Sequence, residues 1–154
     1  MNVSFVNPFI EATLRTLSMM ANIKAERAGL ELKEEHITAY EISSIIGITG
    51  ETSGSIIISM PEMLACQIAS NMLMETITTM NRDVEDAIGE IGNILVGDAR
   101  RTLIQEGHSL NISIPSVILG AGNRISRPGN VPCIALPFTT EFGAFEVNVG
   151  LKEK

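Results

Sequence analysis

The chain has 154 residues, 45% hydrophobic and 19% charged, which suffices for one domain with a substantial core and is too short for two ordinary ones. Its 18 acidic residues against 11 Lys and Arg give a net charge of −7, which argues against a nucleic-acid surface, since tracking phosphates requires clustered cations. Cys66 and Cys133 each lie among apolar neighbours, as reduced buried thiols do, rather than in a disulfide framework.

Asn7-Pro8 reads as an N-cap followed by a proline at the first helical position. Behind it Ile10, Leu14, Leu17 and Ala21 repeat at helical spacing, which predicts a first helix from Pro8 toward Gly29. From His36 to Ile48 many positions are β-branched or aromatic, and Gly50-Glu51-Thr52-Ser53-Gly54 turns the chain into Ser55–Ser59, which predicts a hairpin. Pro61 opens a shorter helix to Met74, with Leu64, Ile68 and Met72 on its apolar stripe. A long helix follows from Arg82 to Gly107, where the glycine serves as the stop. Three strands are predicted after it: Leu110 to Ile118, Cys133 to Thr139, and Ala144 to Leu151. In the last, Phe145, Val147, Val149 and Leu151 alternate with polar or small residues, as in a strand with one wet face. Helix, strand, glycine-bearing turn and strand thus occur once before the middle helix and again after it, a weak internal repeat. The fold class expected is α+β, a pseudo-symmetric duplication with two long helices on one face of a largely antiparallel sheet and the short helix linking the halves.

The N-terminal MNVSFVNPF has no basic leader region, and no apolar run approaches the ~18 residues of a spanning helix. A cytoplasmic protein, neither exported nor membrane-inserted, is expected.

The most informative stretch is in the long helix, where Asp86, Glu90 and Asn93 follow the spacing D-x3-E-x2-N and Pro115 comes after twenty-one further residues. At 3.6 residues per turn Asp86, Glu90, Asn93 and Gly97 fall on one narrow stripe, opposite Val84, Ile88, Ile91, Leu95 and Ala99, so the polar stripe faces solvent. Gly89, Gly92 and Gly97 are threaded through the same segment, each costing about 1 kcal/mol relative to alanine, which asks for a reason such as close approach of another molecule. An exposed carboxamide is no general base, yet it donates and accepts hydrogen bonds and so can hold a water in one orientation. Phosphoryl transfer suits such a residue, because that chemistry rests on an in-line nucleophile and charge stabilisation. Taken alone, a Glu and an Asn on the outer stripe of an amphipathic helix are an ordinary solvated face.

This spacing, with its distant proline, resembles the signature of the CheC, CheX and FliY group of chemotaxis phosphatases: Asp or Ser, three residues, Glu, two residues, Asn, twenty-one residues, Pro. The CheX branch fits best, because the CheC branch usually carries two copies and the first helix here has only Glu11, with Leu14 where the matching Asn would sit. The resemblance implies a phosphatase whose partner and substrate is a phosphorylated CheY-type receiver protein. It also implies a site in which Asn93 enters the receiver's active site to align the attacking water while Glu90 pairs with the receiver's Lys. Gly89 and Gly97 would then let the receiver's loops approach, and Asp86, in the first turns where a carboxylate also favours the helix dipole, would join the partner-binding surface. Pro115 reads as a structural residue at an edge or bulge. No cofactor is expected on this chain, the Mg2+ being the receiver's, and a symmetric homodimer joined edge to edge through its sheets is implied. The alternative is a non-catalytic interaction domain resembling the middle domain of FliM, which lacks the Glu and Asn.

Other features read as structural. His36, His108, Cys66 and Cys133 make no ligand spacing. Leu119-Gly120-Ala121-Gly122-Asn123-Arg124 precedes a strand and not a helix, so it is a connection and no phosphate loop, although Arg124 and Arg127 would suit an acidic partner. The eight methionines, Met19, Met20, Met72 and Met74 among them, are expected as core filling.

Overall fold

The computed structural model describes residues 3–125 and 133–153. Its helices are α1 (Val3–Ala21), α2 (Glu62–Leu73) and α3 (Arg82–Gln105). Its strands are β1 (Glu26–Arg27), β2 (Glu31–Lys33), β3 (Ile42–Gly50), β4 (Thr52–Met60), β5 (Leu110–Ile112), β6 (Ser116–Leu119), β7 (Cys133–Thr140) and β8 (Gly143–Glu153). All eight strands form one antiparallel sheet, ordered β1-β7-β8-β4-β3-β5, with β2 also on β7 and β6 also on β3. The predicted α+β class is the observed one.

The repeat is visible in the sheet order. Hairpins β3–β4 and β7–β8 meet at the central β4–β8 pair, and each half lends its short strands to the outer edge of the other half's hairpin: β1 and β2 to β7, β5 and β6 to β3. The halves are therefore interlocked within one sheet.

Ile42, Ile46, Ile48, Ile56, Ile58, Phe145, Val147 and Val149 share the front face of the sheet and are buried beneath α1 and α3. The rear face departs from the expectation of a wet surface on the last strand: Asn148 is 1% exposed and Gly150 is buried. Residues 34–41 cross this face. His36 lies 2.9 Å from both Cys133 Sγ and Ser55 Oγ, and the Tyr40 N–H donates to Ser59 Oγ at 2.9 Å. A Cβ on Gly150 would approach the His36 ring to 3.2 Å, so the missing side chain there admits the crossing segment.

Helix α1 begins earlier and ends sooner than its sequence suggests. Asn7 and Pro8 lie inside it, and burial of Phe5, Val6 and Phe9 compensates the hydrogen bond that Pro8 cannot donate. It stops where Asn22 adopts φ 52°, a left-handed conformation asparagine tolerates; the Asn22 N–H donates to the Ser18 carbonyl and the Ile23 N–H to that of Leu17. The rest of the expected helix holds β1 and approaches β2, two edge strands too short to leave an alternating pattern. The predicted strand from Leu110 to Ile118 is broken: Ile48 pairs with Ile112 and Ile45 with Ser116, so Ile46 and Gly47 face three residues, Ser113, Ile114 and Pro115. This bulge is anchored by the Gly47 N–H donating to Ser113 Oγ at 2.8 Å and the Ser113 N–H donating to the Gly47 carbonyl at 2.9 Å.

Candidate active site

Asn81 sets the start of α3, its side-chain oxygen accepting from the Val84 N–H at 2.9 Å, and Asp83 and Glu85 in the first turn suit the positive end of the helix dipole. Val84, Ile88, Ile91, Leu95 and Ala99 are buried, which fixes the rotation of the helix. Asp86 and Glu90 consequently project into solvent, with Asn93 and Gly97 half-buried on the same stripe. Among the described residues, no hydrogen bond or ion pair engages the side chains of Asp86, Glu90 or Asn93. Glu90 and Asn93 stand about 5–6 Å apart at Cβ, a carboxylate and a carboxamide one turn apart on a rigid helix. The pair can address two groups of one incoming molecule.

The three glycines have separate physical causes. A Cβ on Gly92 would fall 2.9 Å from Ile46 Cδ1 and closer still to Ser44 Oγ, so this glycine brings α3 onto β3. A Cβ on Gly89 would meet Val117 Cγ2 at 3.3 Å, and Gly89 is buried. Its expected exposure to a partner is thus not met, because the residue faces β6. Gly97 has nothing within 4 Å of a Cβ position. Only there does the fold itself leave the glycine unexplained.

The stripe lies between two walls. On one side Gly89 touches β6 through Val117, and Pro115 occupies the bulge between β5 and β6, at the sheet's edge. On the other side α1 is tied to α3 by Asp98, a residue the sequence analysis did not single out. Arg15 Nε donates to Asp98 Oδ2 at 2.8 Å, and Arg101 Nη2 donates to Oδ1. Asp98 and Arg101 carry the spacing of an ion pair on one helix; nothing in the sequence announces Arg15 as the third member. Burial alone pushes the Asp98 carboxyl up, but hydrogen bonds from Arg101 and Arg15 outweigh it and hold the group below its ordinary value.

The remaining candidates separate from this site. His108 lies 3.4 Å from Glu51 Oε1 with its ring against Phe5, and His36 belongs to the rear segment, its ring buried against the sheet. Among the described residues no group of three or more His, Cys, Asp or Glu could hold a metal ion, and no helix is long and apolar enough to cross a membrane. Cys66 and Cys133 are both buried and no disulfide joins them. Arg124 pairs with Glu35 at 2.9 Å, whereas Arg127 lies outside the described residues. The expectation that the methionines fill the core holds for Met60, which is fully buried, and for Met72, which packs against the core, but not for Met74, Met19 and Met20, which are 92%, 77% and 40% exposed. On α1 the apolar stripe Ile10–Leu14–Leu17–Ala21 already fills the core side, which leaves Met19 on the opposite side of the helix.

The family model for chemotaxis phosphatase CheX matches residues 42–139, a span containing Asp86, Glu90, Asn93 and Pro115. The chain is 29% identical over 132 residues to the CheY-P phosphatase CheX of Thermotoga maritima, covering 84% of each chain. The chemotaxis protein CheX of Desulfovibrio desulfuricans has a similar structure, with TM-score 0.87 and 33% identity over 98% of this chain and 99% of that one. A chain of the CheX–CheY–BeF3–Mg2+ complex from Borrelia burgdorferi superposes with TM-score 0.76 at 27% identity, covering 97% and 98% respectively. The chain belongs to the CheX family of chemotaxis phosphatases.

Proposed function

We propose that this protein hydrolyses the aspartyl phosphate of a CheY-type receiver protein, in the cytoplasm, as part of chemotactic or related two-component signalling. The observation that carries the reading is Glu90 and Asn93 side by side on the outward stripe of α3, without side-chain partners among the described residues, on a helix whose opposite face is locked into the core. A relative named as a CheY-P phosphatase and a similar protein solved together with CheY, BeF3 and Mg2+ support the choice of substrate. A scaffold role would leave Glu90 and Asn93 without chemistry to perform.

Asn93 enters the receiver's site, where its carboxamide accepts a hydrogen bond from the attacking water and fixes its approach in line with the scissile P–O bond. Glu90 receives the receiver's Lys as an ion pair and so sets how deeply α3 seats. The magnesium is the receiver's own, neutralising charge on the phosphoryl oxygens; this chain contributes position, which is most of what such a reaction asks of a protein. Asp86 adds negative charge toward the rim of the contact, and Pro115 shapes the bulge beside it. We also assign a symmetric homodimer joined through a sheet edge, since the outer edges of the sheet leave apolar side chains in solvent: Leu32 on β2 and Ile114 in the bulge between β5 and β6.

The test is the lifetime of a phosphorylated receiver, labelled on its aspartate, with and without this protein. Accelerated release of inorganic phosphate at catalytic amounts of protein is expected. An unchanged lifetime across candidate receivers from the same cell would leave only the interaction-domain reading.

A further inference from the structure

Between α1 and α3, next to the stripe, lies an open cavity of about 320 Å³ lined by Arg15, Met19, Met20, Gly97, Asp98 and Arg101, among others. We propose that this cavity is a second docking point for the phosphorylated receiver, seating an apolar side chain of the receiver that is flanked by one of its carboxylates. The inference rests on the phosphatase reading for the identity of the partner, and it assigns residues that the D-x3-E-x2-N motif does not contain.

Position comes first. Gly97 belongs both to the stripe and to the cavity lining, and it lies about 6 Å along the helix axis beyond Asn93. A stable contact covers about 800 Å² on each partner, equivalent to a disc roughly 16 Å in radius. Arg101, eight residues beyond Asn93, is only about 12 Å along the axis. A receiver centred on Asn93 therefore covers the cavity.

Chemistry selects the occupant. Met19 is 77% exposed and Met20 40%, so the rim presents two flexible thioether side chains that repack around an apolar group. Arg15 and Arg101 converge on the single carboxylate of Asp98, which leaves a net positive charge on a chain whose overall charge is −7. Their guanidinium side chains stay 44% and 69% exposed, with donors left for a further acceptor. Glu90 is negative and the Arg15–Arg101 cluster positive, some sixteen ångströms farther along α3 by the helical rise of about 1.5 Å per residue. Two opposite charges at that separation fix the rotation of a partner bringing a Lys to one and a carboxylate to the other, which a single ion pair cannot do. The open space at Gly97 has a use in this arrangement, since a side chain there would narrow the passage between the two points.

The experiment uses the full chain with methyl-labelled methionine and, as probe, a CheY-type receiver activated with beryllofluoride and Mg2+. The Met19 and Met20 methyl resonances, assigned through Met19→Leu and Met20→Leu, are expected to shift on adding the activated receiver and to remain in place with the unactivated one. In steady-state dephosphorylation, Arg101→Glu and Met19→Gln are each expected to raise KM roughly three- to tenfold while kcat stays within about twofold, the signature of lost uniform binding. Met19 is solvent-exposed, so its replacement reports on docking even if Arg101→Glu loosens α1 from α3. Unmoved Met19 and Met20 methyls at saturating receiver, or an unchanged KM in both variants, would overturn the proposal, as would methyl shifts that depend on the concentration of this chain alone and so reveal a second copy in the cavity. Methyl shifts without dephosphorylation by the wild type would retain the docking point and remove the phosphatase reading.

Discussion

Arg15 on α1 presents both Nε and Nη2 to the same oxygen of Asp98 on α3, each at 2.8 Å, across 83 positions of sequence. With Arg101 on the other oxygen, this carboxylate is the polar tie between the two long helices. Because its folded pKa is lowered, Asp98 contributes stability that is present above its unfolded value, about 3.9, and is lost as pH falls through the lower folded value. Asp98→Asn is expected to cost about 1–2 kcal/mol near neutral pH, at the low end for a broken buried pair because both arginines regain water. The difference from wild type should shrink as the pH drops below about 4, in denaturant titrations run across that range. A difference independent of pH would show that the cost is packing and not charge.

Gly92 and Gly97, five positions apart on one helix, should respond oppositely to the same substitution. Gly92→Ala drives a methyl into Ser44 and Ile46 and is expected to destabilise the fold by about 1–3 kcal/mol. Gly97→Ala meets open space, relieves a helix-interior glycine, and should stabilise by up to about 1 kcal/mol while slowing dephosphorylation. Thermal melts beside activity measurements check both. A Gly97→Ala protein that gained stability and kept full activity would dissociate this glycine from the partner's approach.

How far these features could be read in the sequence depended on range. The rotation of α3 was legible because Val84, Ile88, Ile91, Leu95 and Ala99 repeat locally, and the hairpin of β3 and β4 because its strands are adjacent and its turn rich in glycine. The α+β class followed from the same local signals. What escaped were contacts between distant segments. Arg15 gives no hint of Asp98, Gly150 none of His36, and Gly89 looks equivalent to Gly97 until β6 is placed against it. The end of α1 escaped for a different reason: Asn22 closes it through a left-handed backbone that propensity does not favour strongly, and β1 is only two residues long.

Magnesium should be required through the receiver. With chelator present, dephosphorylation is expected to fall to the background rate, and titration calorimetry of this chain alone against Mg2+ should give no high-affinity binding. A tight heat signal from the isolated chain would relocate the metal.

The proposed edge-to-edge dimer predicts a mass near twice 16.6 kDa by light scattering at micromolar concentration. A charge introduced at the bonded edge should shift the mass toward the monomer, with Leu32→Lys the first choice and Ile114→Lys its counterpart on the opposite edge. A monomeric wild type would contradict the assembly without touching the catalytic reading.

The most direct test separates the work of Asn93 from that of Glu90. Decay of phosphorylated receiver is followed at saturating protein for wild type, Asn93→Ala, Glu90→Ala and the double variant, beside the affinity of each for the beryllofluoride-activated receiver. Asn93→Ala should slow dephosphorylation roughly 100-fold or more, about 3 kcal/mol in the barrier, with affinity largely retained. Glu90→Ala should weaken binding as well, more so at low salt where its ion pair is least screened, and the two losses should fall short of additive because they act on one bound geometry. Full activity in Asn93→Ala would contradict the mechanism and leave α3 as a docking surface alone.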